Sequence, residues 1–196
     1  MIEVKKKFAL KTDNLARLTS EAELISEKTF TDVYYDSPNY YLTKNNIWLR
    51  SRAGNFNSKF PVFSLTKDKS VNYYEEITNE KDISKKLNIK FKNNLKISLE
   101  SVGYQSFAII ESKRKKYQKD GFTIDIDKMD FGYNLAEIEL LVNSQKETKE
   151  ASQKIINFAK SHGLEIIPVR GKVIEYIRRN NPDHFKTLEL SYGFSL

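Results

Sequence analysis

The sequence predicts an α+β fold in which antiparallel strands form a β-barrel and helices pack outside it. Three observations carry that expectation. Residues 2–8 alternate Ile2, Val4 and Phe8, with Lys6 among them, against Glu3, Lys5 and Lys7, so one face of a strand is apolar and the other wholly ionic. The alternation recurs at residues 46–53, 122–128 and 135–142, with acids on some faces and bases on others. Elsewhere apolar residues repeat at helical spacing, as in Ala151, Ile155, Phe158 and Ala159. A sheet closed on itself could collect the ionic faces inside and leave the apolar faces for helices to cover.

Taken in order, residues 2–8 form the first strand. Asp13 is placed to cap a helix with Leu15, Leu18, Ala22 and Ile25 on one stripe. Residues 31–36 read as a strand that ends in the turn Asp36-Ser37-Pro38-Asn39. In residues 46–53, Ile47, Leu49 and Ser51 alternate with Trp48, Arg50 and Arg52, so two arginines point the same way. Residues 54–58 read as a turn, and 62–67 as renewed extended structure ending in Lys67. Residues 73–78 form a short strand with Tyr74 and Glu76 on one face. Asn79 caps a helix running to Leu87. Residues 94–102 are helical in spacing, with Gly103 as the stop. This lysine-rich insert reads as a solvated helical excursion. Three close strands follow, at residues 106–117, 122–128 and 135–142, the first two joined by Lys119-Asp120-Gly121. Phe122, Ile124 and Ile126 oppose Thr123, Asp125 and Asp127. Ala136, Ile138, Leu140 and Val142 oppose Leu135, Glu137, Glu139 and Leu141. The remainder is helical: one helix ends at Gly163, and a second, residues 169–179, is stopped by Pro182.

Composition narrows the function. The 196 residues fit a single domain over 1–196, and seven Gly and four Pro, spread along the chain, mark no linker. Without Cys there is no disulfide framework or thiolate metal site, and two His leave little imidazole chemistry, so a metal here would take oxygen ligands. His162 and His184 read as ordinary surface residues. The opening strand is charged and shows no apolar stretch resembling a signal peptide, and no run of about 18 apolar residues occurs. A soluble cytoplasmic monomer with no membrane contact is the expectation. A net charge of +7 favours an anionic partner. Nucleic acid is not the expected one, because the lysines of residues 85–96 lack a stacking aromatic platform.

The polar faces together offer Glu3, Glu76, Asp125, Asp127, Glu137 and Glu139 as acids and Lys7, Arg50, Arg52, Lys67 and Arg114 as bases. Any one charged face is more often a solvated sheet face; the set points further. Burying so many charges costs several kcal/mol per ion, so a lumen lined by them is wet or holds something ionic. A polyphosphate with a divalent cation fits, since Arg and Lys donate to phosphate oxygens and carboxylates hold Mg²⁺ or Mn²⁺. Trp48, Tyr34 and Tyr35 read as core packing rather than as a platform for an organic group.

These residues resemble the CYTH or triphosphate tunnel metalloenzyme family, closest to the thiamine triphosphatase branch. The resemblance lies in Glu3-Val4-Lys5-Lys6-Lys7, Tyr34-Tyr35-Asp36-Ser37-Pro38, Trp48-Leu49-Arg50-Ser51-Arg52 and Leu65-Thr66-Lys67. It continues through Asp125 to Asp130, Phe131-Gly132-Tyr133, Glu137-Ile138-Glu139, Lys172-Val173-Ile174-Glu175-Tyr176 and Asn181-Pro182-Asp183-His184-Phe185. It implies an antiparallel triphosphate tunnel in which Lys7, Arg50, Arg52, Lys67, Arg114 and Lys172 grip a small-molecule triphosphate. Within that set Lys7, Arg50, Arg52 and Lys67 carry the catalytic role, and Glu3, Asp125, Glu137 and Glu139 serve the metal, Mg²⁺ with Mn²⁺ as the other choice. The implied activity is metal-dependent hydrolysis of thiamine triphosphate or inorganic triphosphate. The chain departs from the pattern at Lys5, which stands where the family motif has its second Glu. That exchange removes a carboxylate and adds a cation that could contact phosphate, which favours weakened metal binding. The alternative reading is therefore a non-catalytic or weakly active protein that binds triphosphate or polyphosphate.

Overall fold

The structure is a computed structural model that describes residues 2–62 and 73–192, the side chains of Val62 and Tyr73 excepted. In chain order its elements are β1 (Ile2–Ala9), α1 (Thr12–Thr19), β2 (Glu23–Asp36), α2 (Tyr41–Lys44), β3 (Trp48–Arg52), β4 (Asn55–Val62) and β5 (Tyr73–Ile77). There follow α3 (Glu80–Lys86), α4 (Leu95–Glu100), β6 (Gln105–Lys119), β7 (Phe122–Met129), β8 (Asn134–Val142), α5 (Thr148–Ser161), α6 (Lys172–Asn180) and α7 (Pro182–Tyr192). The strands belong to one eight-stranded sheet of order β1-β8-β7-β6-β2-β3-β4-β5. The pairs β1–β8, β8–β7, β7–β6, β2–β3, β3–β4 and β4–β5 are all antiparallel. The α+β class with an antiparallel sheet and packed helices is thus what the chain adopts. Among the described residues no helix is long and apolar enough to cross a membrane.

The chain forms two compact units, Met1–Phe30 with Glu111–Glu175 and Thr31–Ile110 with Tyr176–Leu196. Neither is a contiguous segment. The long strands β2 and β6, and helix α6, each contribute to both.

In the first unit the alternating strands do what their pattern requires. Phe8, Ile124, Ile126, Ala136 and Ile138 turn one face of β1, β8 and β7 toward Ile155, Phe158 and Ala159 of α5 and Leu18 of α1, making a buried apolar core. Helix α1 stops at Thr19, because Glu21 takes a left-handed φ of 58°. Ala22 and Ile25 therefore lie outside it, and Ile25 belongs to β2. Residues 23–36 are rich in β-branched and aromatic side chains, and that strand preference overrides the helical spacing. Asp13 sits in the first turn rather than at the cap, and Asn14 Oδ1 accepts from the Lys11 N–H instead, at 2.8 Å. The hairpin turn between β6 and β7 is Asp120-Gly121, with φ of 50° and 80°, the left-handed pair a two-residue loop demands.

In the second unit Tyr35, Leu42, Leu49, Phe56, Ile83, Leu95 and Leu99 form the core. Residues 55–58 are strand, and the turn is confined to Ala53 and Gly54, which at φ of 48° and 80° close the β3–β4 hairpin in two residues. The segment 80–100 is also not a solvated excursion. Asn79 caps α3 as expected and Asn94 caps α4, but Ile83, Leu95 and Leu99 are fully buried while the lysines face water. The extended structure expected at 62–67 falls, beyond Val62, outside the described residues.

The helix α6 ends at Asn180, before Pro182, but Pro182 also opens a further helix, α7, at the first-turn position where its missing N–H costs nothing. His184, far from being a surface residue, is buried on α7. Its ring stacks on Tyr40 at 3.8 Å and meets Phe107 edge-on at 4.9 Å. The Thr43 hydroxyl donates to Asp36 Oδ2 at 2.7 Å, so it accepts from His184 Nε2–H at 2.8 Å. Asp36 also receives the Leu42 and Thr43 N–H groups at the start of α2. Burial holds His184 down at about 4, with Asp36 pulling the other way.

A depressed histidine makes stability depend on acid. Between pH of about 6.5 and about 4 the unfolded chain takes up a proton that folded His184 refuses, so stability falls as pH drops through that window and is flat, for this group, above it. The loss is at most roughly 3 kcal/mol. Urea midpoints at neutral pH and near pH 4.5 should diverge more for the natural chain than for His184→Phe; equal divergence would assign the acid sensitivity to other groups.

Candidate functional site

The ionic face of the first unit is assembled by register. Lys5 pairs with Glu139 and Lys7 with Glu137 across β1–β8. Asp125 pairs with Glu137 across β7–β8, and Arg114 with Asp127 and Lys116 with Asp125 across β6–β7. Directly opposed residues share a face, so acids on the two inner strands of this set stand against bases on the two flanking ones. That face is the reverse of the apolar core.

Asp125 and Asp127 are almost wholly buried, at 1% and 3% exposure, and Arg114 is what makes this tolerable. Its Nε and Nη2 donate to the two Asp127 oxygens at 2.6 Å each, and its Nη1 donates to Asp125 Oδ2 at 2.5 Å. Glu137 Oε2 lies 3.7 Å from the same guanidinium. Burial works to lower the Arg114 pKa, but the Asp127, Asp125 and Glu137 carboxylates outweigh it and raise it. On the other side Lys7 Nζ lies 3.8 Å from Glu137 Oε1, and Lys5 Nζ 3.8 Å from Glu139 Oε1. Burial, assisted by the negative charge of Glu3, raises the Glu139 pKa, against the pull of Lys5 and Lys116.

Asp125, Glu137 and Glu139 bring three carboxylate oxygens within 4.8 Å of one another. Oxygen donors at this spacing suit a hard divalent cation. Asp125 Oδ1 strengthens the fit: it is buried and accepts no hydrogen bond, although Lys116 Nζ stands 3.0 Å away. Glu3, expected beside them, is outside the trio, its carboxylate receiving the Lys5 ammonium at 2.6 Å.

Lys172 comes from α6. Its Nζ donates to the buried Ser112 Oγ at 3.0 Å and lies 4.9 Å from the Phe30 ring centroid, a ring that also carries the Arg114 guanidinium at 5.7 Å. The segment leading to α6 is tied down by Tyr133, whose phenol donates to the Arg170 carbonyl at 2.8 Å. Gly132, at φ of 76°, supplies the left-handed turn that brings Tyr133 round into β8's approach.

In the second unit Arg50 and Arg52 share a buried acid that the sequence reading missed. Arg52 grips Asp32 through Nε and Nη2 at 2.8 and 2.9 Å, and Arg50 Nη1 lies 3.4 Å from it. Asp32 stands opposite Arg52 in the β2–β3 register. Burial, with the Asp32 charge beside it, pushes the Tyr34 phenol up to about 12. Lys67 lies outside the described residues. Lys116, Ser112 and Phe30 were likewise missed; Lys116 alone was within reach of sequence reasoning, two residues after Arg114 and so on the same strand face.

Residues 1–166 match the CYTH domain. The chain belongs to the CYTH family. It is 27% identical to thiamine-triphosphatase of Homo sapiens over 208 residues, covering 96% of this chain and 89% of that protein. The Macaca fascicularis thiamine-triphosphatase is 26% identical with the same coverage. Among solved structures, the PH1819 protein of Pyrococcus horikoshii OT3 shares the fold with a TM-score of 0.62 at 19% identity, over 91% of this chain and 99% of its own. HpAC1 of Hippeastrum, a putative adenylyl cyclase described as having a dominant triphosphatase activity, gives a TM-score of 0.57 at 14% identity, over 88% and 93%.

The Asp32 pairing sets a test. Arg52→Ala takes the bidentate partner from a fully buried carboxylate, so it is expected to cost about 3 kcal/mol in chemical denaturation, and Asp32→Asn added to it should restore most of that loss. A single variant as stable as the natural chain would show that Arg52 is not needed to hold Asp32.

Proposed function

We propose that this CYTH protein is a metal-dependent triphosphatase acting on a small-molecule triphosphate, thiamine triphosphate or inorganic triphosphate, with water as nucleophile. The observation that carries the reading is the juxtaposition, on one sheet face, of the Asp125, Glu137 and Glu139 carboxylates with the cations Lys5, Lys7, Arg114 and Lys116. The thiamine-triphosphatase relatives supply the substrate class.

On this reading Asp125, Glu137 and Glu139 hold Mg²⁺ or Mn²⁺. Such an ion supplies Lewis-acid polarisation of the phosphorus and a more acidic bound water. The other residues act by position and charge. Lys7 and Lys172 offer ammonium donors to phosphate oxygens; Arg114, pinned by Asp127, offers its field from a fixed place, so little reorganisation is needed as charge develops. Arg50, Arg52 and Lys67 complete the phosphate-binding set by family resemblance. Glu3 is assigned to the metal on the same ground.

Lys5 favours a second reading, a binding protein with weak or no turnover. Its ammonium rests against Glu3 and near Glu139 where the family motif has a carboxylate.

The two readings part on one measurement. Phosphate release from thiamine triphosphate and inorganic triphosphate should require added Mg²⁺ or Mn²⁺, stop with a chelator, and fall about a hundredfold or more in Glu137→Gln and Glu139→Gln, the scale of losing one electrostatic catalytic group. Saturable triphosphate binding without turnover in any metal would establish the binding protein instead.

A further inference from the structure

Glu139 is held from both sides. Lys5 Nζ of β1 lies 3.8 Å from its Oε1, and Lys116 Nζ of β6 lies 4.0 Å from its Oε2. Lys116 also stands 3.0 Å from the buried Asp125 Oδ1. Two ammonium groups, the Lys5 one shared with Glu3, therefore already stand against two of the three carboxylates that a divalent ion would need. Both are long, flexible stems whose side chains are only partly covered, at 44% and 35% exposure. Arg114 differs, since its bidentate bond to Asp127 fixes it.

We infer that Lys116 and Lys5 are positioning residues that close the acid trio to a free divalent ion and open it when triphosphate draws their ammonium groups away. The inference rests on the metal-dependent reading above. A polyanion offers each lysine better charge-assisted acceptors than a shared carboxylate. Once the ammoniums move to phosphate, Asp125 and Glu139 lose these counter-charges, and the repulsion that the ammoniums exert on a metal is relieved. Metal and triphosphate then bind with positive coupling, and the coupling is reciprocal. No residue assigned by the family pattern supplies this; Lys116 lies outside that pattern and Lys5 breaks it.

The test is Mn²⁺ binding to the full chain, followed by the paramagnetic resonance of unbound Mn²⁺, without any phosphate. Natural protein should bind weakly, and Lys116→Gln and Lys5→Gln should each tighten binding about tenfold, within the usual span of coupling between linked ligands. Lys116→Arg, which keeps the charge, should behave as the natural chain. Imidotriphosphate should raise Mn²⁺ affinity of the natural protein far more than of either Gln variant. Lys5→Gln, at a half-exposed position, decides the matter should Lys116→Gln fail to fold. If the natural chain binds Mn²⁺ as tightly as both Gln variants while still hydrolysing triphosphate, the gating is wrong and the hydrolase reading survives. If neither natural nor variant protein binds Mn²⁺ or turns over triphosphate, the metal-dependent reading falls and takes the gating with it.

Discussion

The ion pairs that cross β1, β8, β7 and β6 constrain everything else in the first unit. Arg114 against Asp125 and Asp127, Lys7 against Glu137, and Lys5 and Lys116 against Glu139 occupy consecutive positions on one face. Because side chains alternate with a period of two, a slip of one residue would carry those charges into the apolar core and its Ile124, Ile126, Ala136 and Ile138 into their place. Each displaced ion would lose several kcal/mol of compensation. Hydrophobic burial on one side and charge pairing on the other therefore specify the same register. That agreement lets two nearly buried aspartates persist in a unit of modest size.

The second unit solves a related problem with fewer charges. Asp32 is wholly buried and answered by the Arg52 and Arg50 guanidiniums. Asp36, four residues on and also buried, is answered instead by the N–H groups of Leu42 and Thr43 and by the Thr43 hydroxyl. A carboxylate satisfied by N–H donors needs no cation to be buried, so Asp36 can orient the Thr43–His184 contact in an aromatic surround. One acid keeps two arginines in place, and the other builds local architecture.

The alternation of residues 2–8, 122–128 and 135–142 was legible because each strand carries an unambiguous period of two. The capping Asn79, the Asp120-Gly121 turn and the stripe on α5 were legible for equally local reasons. Local signals failed where two of them competed. The apolar spacing of Ala22 and Ile25 suits a helix, yet the helix stops before them and the β-branched and aromatic run draws Ile25 into β2. Pro182 both ends one helix and opens another, so a stop was read where α7 begins. His184 looked exposed because its neighbours in sequence are polar, whereas its neighbours in space are Tyr40 and Phe107.

By itself the sequence determined the class of fold, the two-faced chemistry of its strands and the types of group available: carboxylates, lysines and arginines, with no thiol. It could do so because alternation and composition are properties of neighbouring residues. Which carboxylate meets which cation was decided only by tertiary structure. Strand register brings Asp125, Glu137 and Glu139 together and sets Glu3 apart with Lys5. Packing puts Phe30 beneath both Arg114 and Lys172, and Lys116 between two acids. These are relations across tens of residues of chain, fixed by the cost of burying a charge without its partner, and no local pattern encodes that cost.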